Sequence, residues 1–319
     1  VNLCALDVSK AFDKTNFHGI YVRLMQKLIP CELLTMLENW FSKCFTCVKW
    51  NSVYSTFFQL KCGVRQGGVL SPYLFALYID IIVDKVKKQN IGCIFHYFCY
   101  SIILYADDIL LLAPSVDALQ RLIHICEQEL SLLDLAINVK KSFCTRIGPQ
   151  CHSLCSDICT SNGKVIEWVD KIRYLGVFVV RFRHFKCCFD YAKKALYRSF
   201  NAIFGKVGRS ASEEVILNLL QVKCLPCMLY GLEACPITKT EQRSLDFPVT
   251  RILMKLFKTT SSIIIAECQS MFNFPSVHEL VKLRKIKFLS KFVSSEINIC
   301  RMFIDIAREE LLLICSSND

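Results

Sequence analysis

The stretch Leu104 to Ala113, LYADDILLLA, sets two adjacent carboxylates, Asp107 and Asp108, inside one of the most apolar segments of a 319-residue chain. An ionised carboxylate in such surroundings takes up a proton or acquires a cation, so the fold must place this pair where its charge is compensated. The residues on either side, Ile102 to Tyr105 and Ile109 to Leu112, favour β-strands. With only Ala106, Asp107 and Asp108 between them, the spacing predicts a tight hairpin that carries both acids at or beside its turn.

A third carboxylate belongs to the same argument. Val1 to Val8 is short and apolar and ends around Asp7, as a buried strand does when it delivers a side chain at its tip. A sheet that pairs this strand with the hairpin clusters Asp7, Asp107 and Asp108. Clustered carboxylates repel unless a cation sits among them, and hard ions such as Mg²⁺ take carboxylate oxygens while keeping sites for water and phosphate. Asp is also an ordinary turn residue, so on spacing alone a polar turn beside an unrelated strand end accounts for the pattern equally well.

Elsewhere, helical spacing runs over Phe17 to Leu28 and Cys31 to Phe41, and strand-forming residues fill Cys47 to Leu60. A glycine loop, Gly63 to Gly68, leads through Ser71-Pro72 into a helix over about Leu74 to Lys87. Asp117 to Leu133 is amphipathic, and Ala136 to Val139 begins a strand-like piece that ends at Lys140-Lys141. Strands are expected between Lys164 and Val180, and mostly helix from Lys186 onward. Ser210 with Glu213, and Thr238 with Glu241, have capping-box spacing, and Pro248 is expected to kink or break the second of these helices.

The formal charge is +11, and residues 151–319 hold most of it, with 24 basic against 16 acidic side chains. A basic second half points to a polyanion as partner, with a solvated basic face as the plain alternative. Twenty cysteines are scattered without a regular framework, so most read as small buried hydrophobes in a reducing compartment, and the chain is expected to be intracellular, in cytoplasm and nucleus. The CxxC pairs Cys44/Cys47 and Cys224/Cys227 lack a second pair with His at zinc spacing. A membrane span over Ile91 to Ala113 is opposed by His96 and the Asp pair, each central Asp costing about 2.5–3.5 kcal/mol, and no other window offers about 20 uninterrupted apolar residues. The first residue is Val1, so the chain is read as a piece of a longer reading frame.

Tyr105-Ala106-Asp107-Asp108 resembles the YxDD motif of reverse transcriptases. Leu6-Asp7-Val8-Ser9-Lys10-Ala11-Phe12-Asp13 resembles the LDxxKAFD form of the first palm motif in the non-LTR, LINE-like branch. Gly63 to Pro72 (GVRQGGVLSP), Leu135 to Ser142 (LAINVKKS), Tyr174-Leu175-Gly176 and Leu229 to Ala234 (LYGLEA) resemble further segments of that family, in its order. Group II intron maturases share the fold, but the KAFD and LYGLEA wording is that of the LINE-like branch.

The resemblance implies an α+β fold. A right-hand polymerase palm, an antiparallel sheet with packed helices, would occupy 1–180, and a mainly helical thumb-like and C-terminal region 181–319, with the fingers mostly absent. It implies RNA-directed DNA polymerase activity on an RNA template and DNA primer with deoxynucleoside triphosphates. Asp7, Asp107, Asp108 and the Val8 carbonyl would hold two Mg²⁺ ions, or Mn²⁺. Phe12 would lie under the incoming sugar and exclude a 2′-hydroxyl, with plain core packing as its other reading. Gln66 would contact the nucleotide, Gly67 and Gly68 would let the backbone approach it, and Arg65 would touch phosphate or stay solvated. Lys141 would donate a proton to pyrophosphate or neutralise it, with Lys140 as its neighbouring rival. Lys193, Lys194, Arg198, Lys206 and Arg209 would track a phosphodiester backbone. The sequence departs from the family at Phe17, where a His is frequent. The alternative is a catalytically inactive remnant that binds RNA or RNA–DNA hybrid.

Overall fold

The computed structural model describes residues 1–95, 97–208 and 210–316. The chain forms two compact units, one of Val1–Leu175 with Val179–Phe185, the other of Gly176–Phe178 with Lys186–Asp319. His96 and Arg209 lie outside the described residues.

In the first unit the elements run β1 (Asn2–Asp7), a single turn α1 (Ala11–Lys14), α2 (Phe17–Gln26), α3 (Cys31–Ser42), α4 (Ser71–Lys88), β2 (Ile102–Tyr105), β3 (Asp108–Ala113), α5 (Val116–Leu132), β4 (Phe143–Arg146), β5 (Ile158–Cys159), β6 (Val165–Trp168) and β7 (Lys171–Tyr174). Strands β1 to β6 make a six-stranded sheet in the order β5-β6-β4-β1-β3-β2. Its pairs are antiparallel except β4 with β6. The two longest strands, β1 and β3, lie side by side near its middle.

Alternation along these strands feeds two cores. Cys4 and Leu6 of β1, with Ile109, Leu111 and Ala113 of β3, face α4 and α5, where Phe75, Ile79, Ile82, Leu119, Leu122 and Ile123 are buried against them. Leu3 of β1 and Leu110 of β3 face the other way, onto Ile172 with Tyr174 and Val179. A strand covered on both faces needs apolar residues at every position, so the run ILLLA carries no polar alternation. Helix α4 has Pro72 in its first turn and buries Leu74, Phe75, Tyr78, Ile79, Ile82 and Val86 along one stripe. Helix α5 is capped by Ser115, whose side chain accepts the Ala118 N–H.

The segment expected as strand from Cys47 to Leu60 is two short hairpins, Phe45–Thr46 with Phe58–Gln59 and Lys49–Trp50 with Val53–Tyr54. The turn residues Asn51 and Ser52 both have positive φ, which splits the run in two. The strand-like piece after Ala136 is only a bridge between Ile137 and Val8, followed by a 3₁₀ turn at Val139–Lys141.

The second unit is mainly helical: α6 (Asp190–Val207), α7 (Glu213–Leu219), α8 (Leu225–Leu229), α9 (Lys239–Phe257), α10 (Ser262–Met271), α11 (Val277–Val293), α12 (Asn298–Met302) and α13 (Ile304–Ser316). Thr238 and Glu241 form the expected capping box at α9. At α7 the cap is Ser212, whose side chain accepts the Val215 N–H; Glu213 is then the first helical residue, so Ser210 has no capping role. Pro248 neither breaks nor ends α9, which runs unbroken to Phe257. The proline is buried there beside Leu245, Val249 and Ile252, and burying that stripe outweighs the lost N–H. The helical run Glu213–Ala234 is long and apolar enough to cross a membrane by length and composition, which Lys223 obscures in a search for uninterrupted apolar windows. Its Ile216, Leu217, Leu220, Leu225, Met228 and Leu229 are buried in the core of this unit.

Leu111→Ala should lower the unfolding free energy by about 2–5 kcal/mol, because its side chain is fully enclosed between the sheet and the helices. Leu132→Ala, at an exposed position, should change it by no more than about 0.5 kcal/mol. Denaturant unfolding curves of the two variants measure both.

Candidate active site

Tyr105 and Asp108 are register partners, so Ala106 and Asp107 form a two-residue turn between β2 and β3. Ala106 adopts φ 51, a left-handed conformation that hairpin turns of this length require at their first position. Across the sheet Asp7 is paired with Asp108. Residues directly opposite on antiparallel strands share a face, with Cβ atoms about 4.5–5.5 Å apart. By the same alternation this is the face of Leu3 and Leu110, not the face that packs on α4 and α5. All three carboxylates are half-buried.

The end of β1 is fastened by the segment after α5. The Asp7 N–H donates to Ser142 Oγ at 3.1 Å, and its carbonyl accepts the Asn138 N–H at 2.8 Å. Asn138 Nδ2 donates to Asp7 Oδ2 at 3.0 Å, while Ser142 Oγ donates to the Asn138 carbonyl at 2.9 Å. One step further on, the Ser9 N–H reaches the Ala136 carbonyl at 2.9 Å. The 3₁₀ turn that follows holds the exposed Lys141 at the rim of the site.

The glycine loop is stitched to the other side. The Val64 N–H donates to the Phe12 carbonyl and the Gly63 N–H to the Thr15 carbonyl, both at 2.8 Å. Gly63 has φ 92, and a Cβ there would stand 2.8 Å from the Asp13 carbonyl oxygen, so the close approach demands glycine. Phe12 stacks on Phe75 of α4, with ring centroids 4.5 Å apart.

These elements enclose a cleft of about 560 Å³. Asp7, Val8, Phe12, Gln66, Asp107 and Lys141 line it, together with Asn138. Asp108, Arg65, Gly67, Gly68 and Lys140, also expected at the site, stay outside its lining. Asp108 lies one position along the strand, opposite Asp7. Arg65 and Gly67 are exposed, and Gly67 has φ 84 with open space where a Cβ would be. Lys140 is exposed and absent from the lining. Phe12 both packs on the core and faces the cleft, so its two readings are compatible.

The electrostatics are those of crowded like charges. Burial raises the carboxyl pKa of Asp108, Asp107 and Asp7 raise it further, and Arg173 opposes them. Burial, and then the Asp108 charge, push the Tyr174 phenol up to about 12. Among the described residues no three His, Cys, Asp or Glu side chains converge as a ready metal cage. The donor chemistry nonetheless fits a hard divalent cation. Carboxylate oxygens and the Val8 carbonyl are the ligands such ions prefer, and a cation would relieve the repulsion that raises Asp108.

Asn138, Ser142 and Tyr174 contribute to the site beyond the expected set. Asn138 and Ser142 belong to the LAINVKKS stretch and Tyr174 to the Tyr-Leu-Gly triplet, but their roles depend on pairing across more than a hundred residues or on a facing strand. On α6, Lys194, Arg198 and Lys206 are exposed, whereas Lys193 is tied to Asp190 at 2.8 Å and to Ser244 Oγ at 3.0 Å.

Residues 2–179 match the family model described as reverse transcriptase (RNA-dependent DNA polymerase). The chain is 28% identical over 179 residues to the Retrovirus-related Pol polyprotein from type-2 retrotransposable element R2DM of Drosophila melanogaster, covering 54% of this chain and 17% of that protein. It is 25% identical over 273 residues to the Retrovirus-related Pol polyprotein from type-1 retrotransposable element R2 of Popillia japonica, covering 81% of this chain and 35% of that protein. Among solved structures, apo telomerase from Candida Tropicalis aligns with a TM-score of 0.46 at 14% identity, over 98% of this chain and 49% of that one. The chain therefore spans no more than 35% of the length of these two curated relatives.

Because the folded-state pKa of Asp108 is raised, its contribution to stability is present at low pH and is lost as pH rises through that pKa. In metal-free buffer Asp108→Asn should therefore raise the melting temperature at pH 7 by roughly 1–2 °C. The gain should vanish toward pH 3.5, where the wild-type carboxyl is protonated. Thermal melts of both proteins across that range, with chelator present, check the sign.

Proposed function

The chain belongs to the reverse transcriptase family, and from that premise we propose that it serves as the RNA-directed DNA polymerase of a non-LTR retrotransposon, adding deoxynucleotides to a DNA 3′ end on an RNA template. The observation that carries this reading is the cleft shared by Asp7, Asp107, Phe12, Gln66 and Lys141. It combines the acids, the aromatic and the cation that nucleotidyl transfer requires within a space of about 560 Å³.

Two divalent cations, Mg²⁺ or Mn²⁺, held by Asp7, Asp107, Asp108 and the Val8 carbonyl, would activate the primer hydroxyl and neutralise charge on the leaving pyrophosphate. The chain's own groups do the positioning. Asn138 fixes one oxygen of Asp7 by its amide, which leaves the other free to bind. Phe12, rigid against Phe75, supplies an apolar wall beside the nucleotide sugar and disfavours a 2′-hydroxyl there. Gln66 offers an amide to the nucleotide, and the exposed backbone at Gly67 allows the template or nucleotide a close approach. Lys141 neutralises the triphosphate and is the nearest candidate to protonate the departing pyrophosphate. Arg65, exposed, is available to a phosphate.

With an RNA template, a DNA primer, deoxynucleoside triphosphates and Mg²⁺, the chain is expected to extend the primer. Asp107→Asn should reduce the rate by roughly 100-fold or more, beyond the loss seen when only a ligand's hydrogen-bond partner is removed. Equal rates in the two proteins would refute the assignment of Asp107. Binding of RNA–DNA hybrid with no extension in either Mg²⁺ or Mn²⁺ would instead favour a non-catalytic remnant.

A further inference from the structure

Two thiols meet inside the core of the second unit. Cys187 lies on a two-residue strand, Cys187–Cys188, and Cys235 directly follows the 3₁₀ turn Leu232–Ala234. Both are free and buried in one apolar cluster, and their side chains hydrogen-bond to each other across 48 positions of sequence. Backbone geometry holds the second thiol in place. Gly231, which opens the turn, has φ 73, and a Cβ there would stand 2.8 Å from Val177 Cγ2. The Cys235 S–H donates to the Gly231 carbonyl at 3.2 Å, which leaves its sulfur lone pairs to accept the S–H of Cys187. Side chains alternate along a strand, so Cys188 is turned from this contact and donates to Asp190 Oδ2 at 3.4 Å.

The pair is chemically asymmetric. The hydrogen bond from Cys187 holds the Cys235 thiol below its ordinary pKa; burial, Glu233 and Glu241 oppose that, and Lys285 supports it. The same bond, and then burial, push Cys187 up. A sulfur that yields its proton therefore touches one that keeps it, which is the arrangement of an attacking and a resolving cysteine. The surroundings are charged, with ion pairs between Lys186 and Glu241 and between Arg284 and Glu233. A second touching pair differs in this respect. Cys4 and Cys144 stand directly opposite on β1 and β4, wholly enclosed in the core of the first unit, and burial above all raises Cys4.

We propose that Cys187 and Cys235 form a reversible disulfide, a redox-responsive brace of the second unit that a peroxide closes and a small thiol opens. The Cys235 thiolate attacks one peroxide oxygen, the O–O bond breaks, and Cys235 becomes a sulfenic acid as hydroxide leaves. The Cys187 sulfur then attacks that of Cys235; the S–O bond breaks, and the departing hydroxide leaves with the Cys187 proton as water. The two sulfurs lose two electrons in all, and the peroxide is reduced to two waters. The bond closes the loop 187–235, which contains α6, α7 and α8, and so restricts the unfolded chain. This inference rests on neither the aspartate cleft nor the polymerase reading.

The test treats the full chain with hydrogen peroxide, blocks remaining thiols under denaturing conditions, and maps tryptic peptides by mass without reduction. Cys187 lies in peptide 187–193 with Cys188, and Cys235 in peptide 224–239 with Cys224 and Cys227. The two peptides should appear joined, and dithiothreitol should separate them. The joined species should persist in Cys188→Ser and in Cys227→Ser and be lost in Cys187→Ala and in Cys235→Ala. Oxidation should raise the melting temperature of the unmodified chain by roughly 5–10 °C, reversibly, and leave that of Cys235→Ala unchanged. No joined peptides at a peroxide dose that already oxidises the exposed Cys31 would overturn the proposal, and this arm needs no variant to fold. Joining that survives in Cys235→Ala, or an equal melting shift in that variant, would overturn it as well.

Discussion

The pairing of Asp7 with Asp108 across neighbouring strands is the constraint on which the rest of the first unit depends. Because β1 and β3 are covered on both faces, their register is set by which residues enter the helical core and which enter the opposite one. A slip of one residue would exchange Cys4 and Leu6 with Leu3 and Ala5, and would turn a carboxylate toward Phe75 and Leu119. The apolar run that makes LYADDILLLA look hostile to charge is therefore what holds the charges in place.

Around that pair the chain adds restraints from distant segments. Asn138 and Ser142 bind both the backbone and the carboxylate of Asp7, and the loop at Gly63 is tied to the backbone of Phe12 and Thr15. Each is a hydrogen bond of modest net value, but each removes freedom from a group that must be aimed. The cost is concentrated in one place. Asp108 carries a raised pKa, and Tyr174 beside it a phenol pushed up to about 12, because negative charge has been gathered where solvent is reduced.

Much of this was legible in the residues. The hairpin at Asp107-Asp108, the strand ending at Asp7, the helix opened by Ser71-Pro72 and the box at Thr238 each follow from local patterns whose physics is local. What could not be read depends on partners far along the chain. Ser210 has capping-box spacing with Glu213 and Ser212 does not, yet α7 starts at Glu213 and Ser212 is its cap. Pro248 reads as a breaker until its burial in the second core is known. Asn138 and Ser142 gain their roles from Asp7, more than 130 residues away, and Tyr174 from the hairpin it covers. Among the site residues, Phe12, Gln66 and Lys141 were grouped by resemblance; their common cleft required the fold.

The central claim is that Asp7, Asp107 and Asp108 form one site whose repulsion a divalent cation relieves. Its most direct measurement is the melting temperature of the full chain at neutral pH as Mg²⁺ is added, for the unmodified protein and for Asp7→Asn. The account predicts that Mg²⁺ raises the melting temperature of the unmodified chain in a saturable way, and that the rise is largely lost in Asp7→Asn. An equal rise in both proteins, or none in the unmodified chain at any concentration, would contradict it.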